Sequence, residues 1–150
     1  MTDQNAALKA VASDARAGVR GAVLLSGASG TGKTMAADML AAELGTTAYR
    51  VDLRSIAGKY IGETEKNIDR VFAEAERAGA VLLIDDADAL LAKRTDVKDA
   101  HDRYANLEIS YLLDRIEAYN GVALLATNAG TNIDPVYRRR IRRVIDLVPR

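Results

Sequence analysis

Cysteine is absent from this chain of 150 residues, which excludes a disulfide framework and thiolate chemistry. There are only two prolines, and no repeat or low-complexity segment is visible. Basic and acidic residues number 21 each, and this zero net charge does not favour a general binder of nucleic acids or membrane surfaces. No apolar run approaches the ~20 residues of a membrane span, and residues 1–5 lack the features of a signal peptide. We therefore expect one cytoplasmic domain without membrane contact.

The most informative feature that is present is a glycine-rich segment at residues 27–34, which fits the phosphate-binding pattern G-x-x-x-x-G-K-[ST]. Its glycines let the backbone approach a phosphate, and the following helix adds the positive end of its dipole. Lys33 can reach the β- and γ-phosphates, and the Thr34 hydroxyl can bind Mg²⁺. A plain glycine-rich turn has no need of Lys followed by Thr. The residues predicted to bind a nucleotide are Gly27, Ser29, Gly30, Thr31, Gly32, Lys33, Thr34 and Met35.

Strand and helix patterns alternate along the chain. Apolar residues at helical spacing predict helices over about 4–17, 35–44, 63–78 and 103–119, with a helical turn near 135–140. Apolar runs predict strands at about 22–26, 48–52, 80–85, 122–127 and 144–148. Buried strands separated by helices indicate a parallel sheet covered on both faces. Ligands of such sheets bind at the carboxyl ends of the strands, and the chemistry-bearing motifs of this chain all lie at that edge.

Two acids, Asp85 and Asp86, end the most apolar predicted strand. Four apolar residues followed by an acid form the Walker B pattern, in which Asp85 would hold Mg²⁺ through water. Asp86 stands where a residue that polarises the attacking water, usually Glu, is found. Its side chain is shorter by one methylene, and an error of about 1 Å can cost on the order of 10²-fold in rate. The alternative is that both acids cap the strand in solvent, and we interpret Asp88 as structural or as a contact to a neighbour.

Two further motifs lie near predicted strands. Asn128 follows the fourth strand, where its amide can hydrogen-bond the attacking water or the γ-phosphate; a turn-forming asparagine is the alternative. The basic run at 138–143 is usually a solvated face or a polyanion patch. Because this run precedes the last predicted strand, an arginine in it could instead reach the nucleotide of a neighbouring subunit.

Together these motifs resemble the AAA+ ATPases, over about residues 21–149. The resemblance implies Walker A at 27–34, Walker B at 81–86 and sensor 1 at Asn128. Residues 132–135, followed by Arg139 and Arg140, are similar to the arginine-finger segment but lack its usual Pro-Gly. The finger is therefore open between Arg139, Arg140 and Arg142.

The segment that contains Lys59, Tyr60 and Ile61 resembles pore loop 1 of substrate-threading members such as katanin and spastin. In those proteins an aromatic side chain grips polypeptide in the channel of a hexamer. From the residues alone, Tyr60 either grips in this way, between two glycines that make its loop mobile, or covers an edge of the core. Residues 93–106 resemble a bacterial subgroup of stand-alone AAA ATPases. With no cysteine and no second histidine, we interpret His101 as a polar contact rather than a zinc ligand.

The resemblance implies a three-layer αβα P-loop NTPase fold with a five-stranded parallel sheet of order 5-1-4-3-2. We interpret residues 1–150 as an AAA+ nucleotide-binding core with an N-terminal helix in 1–20. We expect it to lack the helical lid that carries sensor 2, since the chain stops at Arg150.

The implied activity is Mg²⁺-dependent ATP hydrolysis, slow because of Asp86, with ATP or ADP and Mg²⁺ bound. In the family this activity is coupled to remodelling or threading of protein in a hexameric ring. Without a lid we expect a monomer or a weak oligomer. Two alternatives remain open: a non-hydrolysing nucleotide-binding scaffold, and a P-loop kinase that acts on a small molecule.

Overall fold

The computed structural model describes residues 2–28, 32–56, 58, 60, 62–85, 87–88, 109–128 and 133–147. Its elements in chain order are α1 (Thr2–Arg16), β1 (Ala22–Ser26), α2 (Lys33–Glu43), β2 (Ala48–Asp52), α3 (Leu53–Ile56), α4 (Glu63–Ala78), β3 (Val81–Asp85), α5 (Ile109–Ala118), β4 (Ala123–Thr127), α6 (Pro135–Arg138) and β5 (Ile141–Asp146). None of the helices described is both long and apolar enough to cross a membrane.

Within the described residues the strands form one parallel sheet of five, in the order β2-β3-β4-β1-β5. The predicted order 5-1-4-3-2 is the same order counted from the opposite edge, so this prediction is confirmed. Parallel strands need crossover connections, and helices supply them here. The register sets the carboxyl ends of the strands side by side, with Ser26 opposite Thr127 and Asp52 opposite Asp85.

Both faces of the sheet are buried, as the apolar strands predict, because successive side chains of a strand point to opposite faces. On one face Leu24, Leu82 and Leu125 pack with residues of α4 and α5. On the other face Val23, Leu83 and Leu124 pack with residues of α1 and α2. The result is the expected three-layer αβα arrangement.

Helix α4 illustrates how local sequence sets the elements. Ile68, Phe72 and Ala75 share one face at helical spacing and are fully buried. Acidic residues lie in its first turn, where the helix dipole favours negative charge. Gly79 ends the helix at a φ of 64°, a left-handed conformation that glycine adopts without a steric penalty.

The apolar run predicts the last strand at 144–148, but the strand begins at Ile141 and ends at Asp146, so Arg142 and Arg143 lie inside it. An edge strand tolerates this charge because its side chains remain partly exposed. Both arginines also reach Asp14 of α1, at 2.9 Å and 3.4 Å. The register shifts between Ala22 and Val23, whose partners are Ile141 and Arg143. Arg142 is thus the extra residue of a bulge.

Two helical segments differ from the sequence-based prediction in other ways. The short helix α3 has no counterpart among the predicted helices, because four residues show no helical period. The helix predicted over 103–119 coincides with α5 in its described part, and the residues before Ile109 lie outside the described part of the chain.

Candidate active site

Backbone hydrogen bonds join the loops that follow β1, β3 and β4. The N–H of Gly27 donates to the carbonyl oxygen of Thr127 at 3.1 Å, and the N–H of Ala87 donates to that of Ala126 at 3.0 Å. These bonds continue the pairing of neighbouring strands beyond the ends of β1 and β3. The residues predicted for Walker A, Walker B and sensor 1 therefore start from one connected edge of the sheet.

Helix α2 begins at Lys33, directly after Gly32, which adopts a left-handed φ of 91°. A residue with a Cβ is strained in that conformation, which explains why glycine occupies this position of the phosphate-binding pattern. The hydrogen bond that opens the helix runs from the N–H of Ala36 to the carbonyl oxygen of Gly32, at 2.8 Å. The N–H groups before it have no partner within the helix, as is general for a first turn. Ser29, Gly30 and Thr31 lie outside the described residues.

The ammonium group of Lys33 lies among uncharged oxygens at the strand ends. Its Nζ donates to the carbonyl of Gly27 at 2.5 Å, to the carbonyl of Thr127 at 3.1 Å and to Oδ1 of Asn128 at 3.4 Å. No described carboxylate is within ion-pair distance of it. The positive charge of this half-buried ammonium is therefore not paired with a described carboxylate, a setting that favours an anion.

The carboxyl group of Asp85 lies at the end of β3 and is 17% exposed. It accepts a hydrogen bond from Nε of Arg50 on the neighbouring strand β2, in an ion pair that sequence reasoning did not foresee. At the start of α2, Thr34 and Met35 are exposed, and Met35 is 62% accessible. Asp86 lies outside the described residues.

Asp88 makes a contact that defines its role more closely than the sequence did. Its Oδ1 accepts a hydrogen bond from the backbone N–H of Asn128 at 3.0 Å. The loop after β3 thereby supports the backbone from which the Asn128 side chain projects. The predicted strand order places β3 beside β4, but it does not show that Asp88 bonds the backbone of Asn128.

The three candidate arginines for the finger have different surroundings. Arg140 donates to Asp114 at 2.8 Å and to both oxygens of Glu117 at 2.7 Å and 2.8 Å. The hydrogen bond from this guanidinium lowers the pKa of Glu117, and the two carboxylates raise the pKa of Arg140. Arg142 pairs with Asp14. The exposed Arg139 donates to the carbonyl of Pro135 at 3.3 Å and makes no ion pair with a described carboxylate.

Tyr60 is 72% exposed, the largest exposure among the large hydrophobic side chains described. Two residues before Tyr60, the N–H of Gly58 donates to Oγ1 of the buried Thr64 at 2.8 Å. This bond connects the segment between α3 and α4 to the first turn of α4. Lys59, Ile61 and the block at 93–106, with His101, lie outside the described residues.

Comparison with known proteins identifies relatives. The family model described as "ATPase family associated with various cellular activities (AAA)" matches residues 23–148. The chain is 37% identical over 129 residues to the ATPase family gene 2 protein of Schizosaccharomyces pombe, which covers 83% of this chain and 16% of that relative. It is 36% identical over 129 residues to the uncharacterized AAA family ATPase y4kL of Sinorhizobium fredii, which covers 85% of this chain and 38% of that relative.

A third relative is the cell division cycle protein 48 homolog of Archaeoglobus fulgidus, 36% identical over 129 residues, which cover 83% of this chain and 18% of that relative. The chain thus spans well under half the length of each of these relatives. The family match begins in β1 and ends after β5, so it includes all the strand ends that build the site. The family implies ATP binding and hydrolysis, and the chain belongs to the AAA ATPase family.

Proposed function

We propose that this chain binds ATP with Mg²⁺ at the carboxyl ends of β1, β3 and β4 and hydrolyses it. The observation that carries the proposal is the position of Lys33: its ammonium lies at the start of α2, against the strand ends, without a described carboxylate beside it. A phosphate would supply the missing negative charge, and first-turn N–H groups would donate to the same anion. We further propose that residues 1–150 form an AAA+ core.

The groups present fit a nucleotide with Mg²⁺. Carboxylate and hydroxyl oxygens are ligands that Mg²⁺ accepts, and Asp85 and the exposed Thr34 offer one of each. When bound, Mg²⁺ neutralises charge that develops on the phosphates. Lys33 would exchange its carbonyl partners for phosphate oxygens. The Asn128 amide would orient the attacking water or contact the γ-phosphate, and Asp86 would accept the proton of that water.

Phosphate release from ATP, measured with Mg²⁺ and again with EDTA, tests this function. We expect slow release that requires Mg²⁺. Tight binding without any release would favour the non-hydrolysing scaffold instead. Formation of ADP that depends on an added small-molecule acceptor, without release of phosphate, would favour the kinase. Absence of both binding and release would overturn the proposal.

The finer assignment within the basic run is that Arg139 is the finger and Arg140 is structural. Arg140 is held by two carboxylates of α5, whereas Arg139 is exposed and has only a carbonyl partner among the described residues. A finger must be free to reach the nucleotide of a neighbouring subunit, and Arg140 would first have to give up its bonds to both acids.

Arg140→Ala should therefore lower stability, whereas Arg139→Ala should lower turnover. Arg140→Ala is expected to lower the free energy of unfolding by about 1 kcal/mol, since exposed pairs contribute little each. Arg139→Ala should leave stability unchanged and, in an ATP-dependent ring, cut turnover by about 10³-fold or more without weakening ATP binding. Chemical denaturation measures the free energy of unfolding of each variant. Turnover is measured against protein concentration, and sedimentation velocity detects the ring. Full turnover of Arg139→Ala inside a ring would contradict the assignment.

We also propose that hydrolysis is coupled to polypeptide threading through a ring, with Tyr60 in contact with the polypeptide. The exposure of Tyr60 supports this, because an aromatic ring held in solvent is available to grip a chain of any sequence. The loop is short and begins from Gly58, whose N–H is fixed to Thr64. Lys59 and Ile61 are proposed to act beside it.

A further inference from the structure

The ion pair between Arg50 and Asp85 joins the edge strand β2 to β3 at the proposed metal site. In the register, Arg50 lies opposite Leu83, and Asp85 is two residues further along the same strand. Residues two apart in a strand point to the same face, so both charged side chains lie on one face of the sheet. Leu83 packs there with residues of α2, the helix that begins at Lys33. Arg50 thus reaches Asp85 on the face of the sheet that α2 covers.

This contact places a cation on the carboxylate that the proposed function gives to Mg²⁺. The guanidinium donates to Oδ2 of Asp85, an oxygen that would otherwise be open to a metal or to its bound water. A positive charge at hydrogen-bond distance also repels a divalent cation. Arg50 and Mg²⁺ cannot both be accommodated on Asp85 without a loss of interaction energy for each.

The exposed fractions of the two side chains indicate that Arg50, rather than Asp85, would move when a metal binds. Asp85 is mostly buried, at 17% exposure, whereas Arg50 is 63% exposed. An exposed arginine can turn into water with little loss, since surface ion pairs are weak. Asp85 is fixed at the end of a central strand and does not have this freedom.

We infer that Arg50 holds the carboxylate of Asp85 while no metal is bound, and that it leaves when Mg²⁺ arrives with the nucleotide. Arg50 therefore weakens the contribution of Mg²⁺ to nucleotide affinity. This inference rests on the proposed function, because it takes Asp85 as the metal carboxylate. Its alternative is a purely structural role in which Arg50 fastens β2 to β3.

The test compares ADP affinity with Mg²⁺ and with EDTA by calorimetry. The variants are Arg50→Met, which keeps the apolar length of the side chain, and Arg50→Gln as a second substitution. Arg77→Met is the matched control, since Arg77 is an exposed arginine in the last turn of α4, near the amino end of β3. Circular dichroism checks that each variant is folded.

We expect the ratio of the two dissociation constants, EDTA over Mg²⁺, to rise about two- to fivefold in both Arg50 variants, the range of an exposed ion pair. The ratio should stay at the wild-type value in Arg77→Met. Nucleotide binding with an unchanged or smaller ratio in the Arg50 variants would overturn this inference alone. No binding of ADP by the unaltered chain would overturn the proposed function and this inference with it.

Discussion

Replacing Lys33 with alanine is expected to abolish measurable binding of Mg²⁺-nucleotide while the fold stays intact. The described partners of Lys33 are three uncharged oxygens, so no buried carboxylate is left unpaired when it is removed. The charge-assisted bonds to phosphate are lost, and we expect affinity to fall by about 10²-fold or more. Calorimetry with ATP and ADP measures the affinity, and thermal denaturation measures the fold.

Lys66→Ala is the matched control for this experiment, because Lys66 is an exposed lysine of α4 that does not contact the strand ends. It should bind nucleotide like the unaltered chain. If Lys33→Ala binds as tightly as Lys66→Ala, the phosphate site is not at the start of α2. If Lys33→Ala is unfolded, the hydrogen bonds of the ammonium to Gly27 and Thr127 are needed for the fold, which would contradict the expected intact structure.

Asp86→Glu is expected to raise turnover by as much as about 10²-fold, because the longer side chain would bring the carboxylate nearer to the attacking water. Asp86 lies outside the described residues, between Asp85 at the end of β3 and Ala87, whose N–H is bonded to Ala126. Phosphate release at saturating ATP measures turnover, and ATP affinity should stay nearly constant.

Asp86→Asn provides the comparison, since an amide keeps the length of the side chain but is no base at neutral pH. It should reduce turnover to background without loss of ATP binding. A decrease in turnover on introduction of Glu would mean either that the surroundings are built for the shorter acid or that Asp86 is not the base. Equal turnover in Asp86→Asn and the unaltered chain would decide for the latter.

The central strands could be predicted because each is marked by its own apolar run. The strand order was predicted from the resemblance of the motifs to the AAA+ ATPases. An apolar run such as residues 22–26 is typical of a strand buried on both faces, whatever its neighbours. The limits of β5 could not be predicted in the same way. Arg142 and Arg143 do not resemble strand residues, and their partner Asp14 lies 128 residues before Arg142 in the sequence. Pairing across that distance is a property of the folded sheet.

In the candidate site, too, some features could be predicted from the sequence and others could not. Asp85, Asn128 and Lys33 were named from motifs, and the structure brings Lys33 and Asn128 within 3.4 Å of each other. The predicted strand order places β2 beside β3 and β3 beside β4, but it could not predict the contacts of Arg50 with Asp85 and of Asp88 with Asn128. These contacts depend on the register and the side-chain geometry of the folded sheet. The proposal that Arg139 rather than Arg140 is the finger likewise depends on α5, whose Asp114 and Glu117 bind Arg140.

The position of β1 in the sheet has a consequence for biosynthesis. Among the described strands β1 is synthesised first, yet its two neighbours, β4 and β5, are the last two. Contacts between distant segments form slowly, and a strand whose edges are unpaired tends to aggregate. On the ribosome the segment Ala22–Ser26 must therefore wait for its first partner until β4 has emerged, and for its second until β5 has emerged. During that interval its backbone N–H and C=O groups and its apolar side chains are open to non-native association.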